Sequence, residues 1–189
     1  VTPELTQAQK TAIKNFINAD PVLSGFVGQG QLQPIADALN QFPALDFLVW
    51  GTAVSVQAVH DAIDYSKYTP VDPADLTIIY TNRMLLIQTK QMNLNNMLVG
   101  RDWLDASKTQ NRASLRDAVI QLPAGAAGAL VSAGGASGVN VMTALTRKAT
   151  VVEKLLVTSN PMTGGVTAGV MGSEGPISAG EVDSALIGG

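Results

Sequence analysis

Cysteine is absent from the 189 residues, which excludes disulfides, thiolate metal sites and a cysteine nucleophile. Charge is scarce as well. Asp, Glu, Lys and Arg make up 14% of the chain against 46% hydrophobic residues, a low share for a soluble monomer. Part of the surface is therefore expected to be buried against other subunits, or to be carried on an apolar arm. No apolar run approaches the length of about twenty residues that a membrane span needs, and no basic-then-apolar leader is visible. The expectation is a protein made in a cytosol without membrane contact. Aromatic residues are few, and the bases are scattered rather than interleaved with them, which argues against a nucleic-acid-binding face. A P-loop and internal repeats are missing too.

What is present is organised around residues 72–122. Asp72-Pro73-Ala74-Asp75 reads as an N-cap aspartate, a proline at the first helical position and an acid in the first turn. Apolar residues at Leu76, Ile79, Tyr80, Met84, Ile87, Met92 and Leu94 follow helical spacing, which predicts a helix from Pro73 to Leu98. Gly100 ends it, Arg101-Asp102-Trp103 forms an elbow, and a second helix runs from Thr109 to Leu122 until Pro123 stops it. This long hairpin predicts a mainly α, helical-bundle fold.

The flanks read as follows. Thr6 caps a first helix ending at Asp20-Pro21, 22–33 is expected to be loop, and Pro34 starts a short helix. Phe47-Leu48-Val49-Trp50 fits either a short buried strand or a packed loop. Ser55 caps a helix through Val59 and Ile63. Residues 124–139 are almost all small and predict a flexible glycine-rich loop or a β-excursion that orders on contact. A further helix is expected over 140–157. The stretch 158–175 has no periodicity, and Ser178-Ala179-Gly180-Glu181 has capping-box spacing for a last short helix. The division that follows is a helical-bundle domain over 1–157 and an extended C-terminal arm over 158–189 that orders against a partner.

Net charge is −3 and unevenly spread. Residues 1–75 hold three bases against eight acids, 76–154 nine against four, and the remainder three acids and no base. Such a split is compatible with subunits meeting acidic face to basic face in a ring, or with ordinary solvated helix faces.

Nothing in the sequence identifies a reaction. His60 is the only histidine; Asp61 or Asp64 could orient it, but no nucleophile stands in a recognisable motif, and a structural role is expected. Asp72 and Asp75 are explained as a cap and a dipole acid, and Asp102 and Asp105 flank the elbow as caps. The glycines at 25, 28 and 30 lack the strand and the Lys-Ser/Thr of a phosphate cradle. No cofactor, metal or catalytic residue is expected. Trp50 and Trp103 are either core residues or interface anchors, tryptophan being enriched at hot spots. With Met162, Val166, Met171, Pro176, Ile177 and Leu186 of the arm they are the candidate partner-binding residues.

Several phrases together carry a resemblance. They are Leu5-Thr6-Gln7-Ala8-Gln9 with Ala19-Asp20-Pro21, Ile35-Ala36-Asp37-Ala38-Leu39-Asn40, and Val49-Trp50-Gly51-Thr52-Ala53-Val54-Ser55. Further along come Arg147-Lys148-Ala149-Thr150 with Glu153-Lys154-Leu155, and Met171-Gly172-Ser173-Glu174-Gly175-Pro176-Ile177-Ser178. In this order the chain resembles a family of small proteins from the structural modules of tailed bacteriophages, and 124–139 is where it departs most. The resemblance implies a non-enzymatic virion protein, most like the head–tail connector or adaptor. Such proteins form a homo-oligomeric, dodecameric ring at the head–tail junction, bind the portal and a tail terminator or stopper, and pass DNA through the channel without sequence-specific binding. A tail terminator, a stopper or a head-decoration protein is the alternative within the virion, and a cell-wall-degrading neck enzyme the alternative outside structural roles.

Overall fold

The computed structural model describes residues 4–69, 80–123 and 130–189. The chain divides into two compact units, each assembled from separated stretches. The first comprises 1–49, 148–160 and 168–189, and the second 50–147 and 161–167.

In the first unit, α1 (Gln7–Ala19) starts on a reciprocal cap: the Thr6 hydroxyl accepts from the Gln9 N–H, and the Gln9 side chain accepts from the Thr6 N–H. Asp20 ends this helix and begins the next, its carboxylate accepting from the N–H groups of Val22 and Leu23 at the start of α2 (Pro21–Gly28). The expected loop over 22–33 is thus mostly helical. An aspartate cap followed by proline outweighs the cost of Gly25 and Gly28. After a turn through Gly30 comes α3 (Leu32–Leu39), and then the strand β1 (Leu48–Trp50), where the chain enters the second unit.

The second unit opens with β2 (Val54–Ser55), α4 (Val56–Asp61) and a 3₁₀ turn over Tyr65–Tyr68. The long α5 (Tyr80–Leu98) and α6 (Thr109–Val119) pack together, with β3 (Trp103–Leu104) between them in sequence. The cap and first turn expected at Asp72–Asp75 lie outside the described residues. Next come β4 (Leu122–Pro123), paired antiparallel with β5 (Leu130–Val131), then a 3₁₀ turn over Ala136–Gly138 and α7 (Val139–Ala144).

Residues 140–157, expected as one helix, are four elements: α7, β6 (Thr146–Lys148), α8 (Val151–Leu155) and β7 (Val157–Ser159). Thr150 cuts the run by capping α8. Its hydroxyl accepts from the Glu153 N–H, and the Glu153 carboxylate accepts from the Thr150 N–H. The stretch expected to be aperiodic is also ordered. β8 (Met162–Thr163) and β9 (Val166–Thr167) form a hairpin whose turn residues, Gly164 and Gly165, take φ +57° and +84°. Two successive positive φ values are the requirement of the tight hairpin turn, and two glycines meet it without strain. β10 (Val170–Met171) pairs antiparallel with β7. α9 (Ala179–Gly188) follows on its Ser178–Glu181 capping box.

The expected mainly α bundle with an extended C-terminal arm is therefore corrected to a mixed fold of helices and small two-stranded antiparallel sheets. The α5–α6 pair exists but is one part of the second unit. The C-terminal segment packs on α1 and α3. Ile177, Val182 and Ala185 share a core with Ile13, Ile17, Ile35 and Leu39, and the Asn40 side chain bonds the Ile177 backbone at both ends, donating at 2.9 Å and accepting at 2.8 Å. Buried Glu153 accepts from the Gly175 N–H at 3.1 Å with its other oxygen. A docking arm needs residues left uncommitted in the free chain; these have partners in their own chain.

The core of the second unit contains a cation. Arg112 is fully buried, lies 4.8 Å from the ring centre of buried Trp50, and donates Nη1 to the carbonyls of Ala106 (2.6 Å) and Ser107 (2.7 Å). Nη2 donates to Thr109 Oγ1 at 3.1 Å, and Nε reaches Thr163 Oγ1 of the β8–β9 hairpin at 3.4 Å. Burial pulls its pKa down and the nearby Asp105 carboxylate opposes that shift.

Replacing this planar fork by Arg112→Lys strands several buried acceptors and should lower unfolding stability by about 3 kcal/mol, read from denaturant midpoints. In the first unit, Asn40→Ala should cost about 2 kcal/mol and speed amide exchange across 176–188. Unchanged exchange there would mean that Asn40 does not hold the C-terminal segment.

Candidate functional site

Among the described residues no group of three or more His, Asp or Glu side chains is placed to hold a metal, and no helix is long and apolar enough to cross a membrane. The feature that stands out is α5. Its inward stripe is Arg83, Ile87, Lys90, Leu94 and Leu98, all buried. Both charged residues of the helix lie on that stripe, and Lys90 reaches the Asp117 carboxylate (3.7 Å) and carbonyl on α6. The outward face is Asn82, Leu85, Leu86, Gln88, Thr89, Gln91, Met92, Asn93, Asn95 and Asn96, all exposed and without a single charge. Leu85 and Met92 are more than half exposed.

This reverses the usual arrangement, in which charges coat the solvent face of a helix and apolar residues fill the inner one. A face of amides, leucine and methionine covers without desolvating an ion, and amides donate and accept equally well across an interface.

The face continues into the elbow. Val99 is exposed, Gly100 takes φ +73° beyond the helix end, and the chain turns into β3. β3 pairs antiparallel with β2, Val54 opposite Leu104 and Ser55 opposite Trp103, and the Val56 N–H donates to the Asp102 carbonyl at 3.0 Å. Strand alternation then sends Leu104 into the core and Trp103 outward, where it is 62% exposed. A cleft of about 640 Å³ lies at this place, lined by Gln57, His60, Val99, Arg101 and Trp103 among others.

His60 is paired with an aromatic neighbour rather than with an acid. Its Nδ1 is hydrogen-bonded to the Tyr65 hydroxyl and its ring stacks on Tyr65 at 6.0 Å. Asp61 accepts from Gln57 at 2.8 Å. Asp64 accepts from the Ser66 hydroxyl and N–H, and the Ser66 hydroxyl holds its carboxyl below the usual range. Neither acid orients the imidazole.

The candidate partner-binding residues separate by exposure. Trp103 and Met162 are open on the second unit, whereas Trp50 and Val166 are buried there. On the first unit Pro176 is exposed, Met171 is half-buried, Leu186 packs against the core and Ile177 belongs to it. The α5 face was missed, because Met92 was assigned to the inner stripe and the exposed leucines to none. The available signal was the run from Gln91 to Asn96, which holds four amides and no charge.

The exposure of the two tryptophans gives a direct check. Trp103→Phe should leave emission that is blue-shifted and poorly quenched by acrylamide, while the native protein shows a quenchable component. Comparison with protein-family models, with curated proteins and with solved structures gives no match.

Proposed function

We propose that the protein is a non-enzymatic structural component of a tailed-phage virion, an adaptor that assembles as a homo-oligomeric ring at the head–tail junction. The observation that carries this reading is the uncharged outer face of α5, joined to exposed Val99 and Trp103. A surface of that kind suits permanent cover by protein. The resemblance of several sequence phrases to a family of phage structural proteins supports the virion setting. In this reading DNA passes through the ring, and the portal and a terminator or stopper bind its two rims.

Charge supports a head-to-tail arrangement. The first unit carries eight acids against four bases, and the second seven against eight. Copies meeting first unit to second unit would pair unlike fields, and such heterologous contacts close into rings when the rotation per subunit allows it.

The second reading keeps the virion and moves the protein to the tail terminator, the stopper or the head surface. The packing of 177–186 on its own unit favours it, since none of those roles requires a free C-terminal arm. Copy number per particle separates the two, on the order of twelve for an adaptor ring against six for a terminator and hundreds for decoration.

Light scattering of the purified protein should give an oligomer, and Leu85→Glu with Met92→Glu should convert it to a folded monomer. Charging a buried interface typically costs several kcal/mol, enough to dissociate it at micromolar protein. A wild-type monomer at every concentration, together with absence from purified virions, would overturn the proposal.

A further inference from the structure

The second unit has another cleft, of about 620 Å³, apart from the α5 face. Its walls are Arg116 and Ile120 at the end of α6, Gln121, the strand β5 with Ser132, and the turn Gly135–Ser137 ahead of α7. No Asp or Glu is among these lining residues.

Three observations converge on it. Arg116 Nε is sealed from solvent and has no hydrogen-bond partner among the described residues. The cation therefore depends on its outer nitrogens, and unsatisfied donors of this kind are rare in folded proteins. The stem of Arg116 passes close to Gly164, where a Cβ would stand 3.3 Å from its Cδ.

Next, among the described residues only Gln121 (φ +54°) and Ser137 (φ +50°) take positive φ without being glycine, and both line this cleft. Such strain persists where the surroundings hold it, and it concentrates at binding sites.

Lastly, donors face few competing acceptors. Ser132 Oγ accepts from the Gly134 N–H at 3.2 Å, which leaves its own O–H to donate. Gly135 and Ser137, both on the cleft wall, have positive φ, the backbone habit of turns that cup anions with their N–H groups, while the Gly138 N–H is spent on the Gly135 carbonyl at 3.1 Å.

We propose that this cleft binds an oxyanion, the carboxylate or phosphate group of a small organic anion. Arg116 supplies the charge, Ser132 and Ser137 the hydroxyl donors, and Ile120, Leu130 and Val131 the apolar wall for the rest of the ligand. The volume lies within the range of small-molecule sites, about 300–1,000 Å³.

The test is a titration of the ¹⁵N-labelled protein with inorganic phosphate and, separately, with butyrate, at ionic strength held constant with chloride. Saturable shifts are expected at the amides of Ser132, Gly135, Ala136 and Ser137 with at least one probe. Phosphate alone marks a phosphate site, butyrate alone a carboxylate site with an apolar wall, and both the shared chemistry. Arg116→Met should weaken binding roughly tenfold or more, whereas Arg101→Met at the other cleft should not. If Arg116→Met fails to fold, Ser132→Ala should still weaken binding a few-fold. No saturable shift with either probe, or equal binding by the Arg116 and Ser132 variants, overturns the assignment. The result does not depend on oligomeric state, so it stands or falls apart from the virion reading.

Discussion

A guanidinium without a carboxylate contact, enclosed by protein, governs the second unit. Arg112 is held by two main-chain carbonyls and two threonine hydroxyls and stacked on Trp50, so residues far apart in sequence converge on one planar group. The carbonyls of Ala106 and Ser107 close the loop that enters α6, and Thr163 brings in the β8–β9 hairpin. Taking a full charge out of water is costly, and only complete hydrogen bonding makes it tolerable. The geometry of the loop and hairpin is correspondingly fixed. The same arrangement explains why Trp50 is interior while Trp103, one tryptophan later, is not.

Local rules were readable from the sequence where they involve only neighbours. The Thr6 cap, the Ser178–Glu181 box and the Asp20-Pro21 boundary were visible in the sequence, and each makes cap hydrogen bonds; that Gln9 closes the first cap reciprocally was not read. Thr150 and Glu153 have the same spacing, yet the apolar periodicity around Val141, Leu145 and Val152 suggested one continuous helix. The helix that starts anew at Val151 leaves orphan N–H groups at its first turn, and the Thr150 cap helps satisfy them. Gly164-Gly165, within the stretch without periodicity, is the turn that a hairpin requires.

What escaped the sequence was long-range. Nothing near Asn40 announces that its amide will serve the backbone of Ile177, and nothing near Arg112 marks it as interior while Arg101 remains outside. The C-terminal stretch looked unable to make a core of its own. It does not make one; it completes a core begun by the first forty residues. For the proposed interaction surface, composition suggests cover by other subunits, but helical phase is needed to find the face. The inward placement of Arg83 and Lys90 inverts the rule by which polar residues mark the outside.

The chain passes from one unit to the other four times, at 49/50, 147/148, 160/161 and 167/168. During synthesis the ribosome delivers α1–α3 first and must make the whole of the second unit before the strand and helix that complete the first one emerge. Domains usually fold in the order they are made. Here the helices of the first unit must wait, with Ile13, Ile17 and Ile35 lacking their full cover, until α9 has been made. Until then the apolar faces of α1–α3 stay adhesive, and α9 ends that exposure.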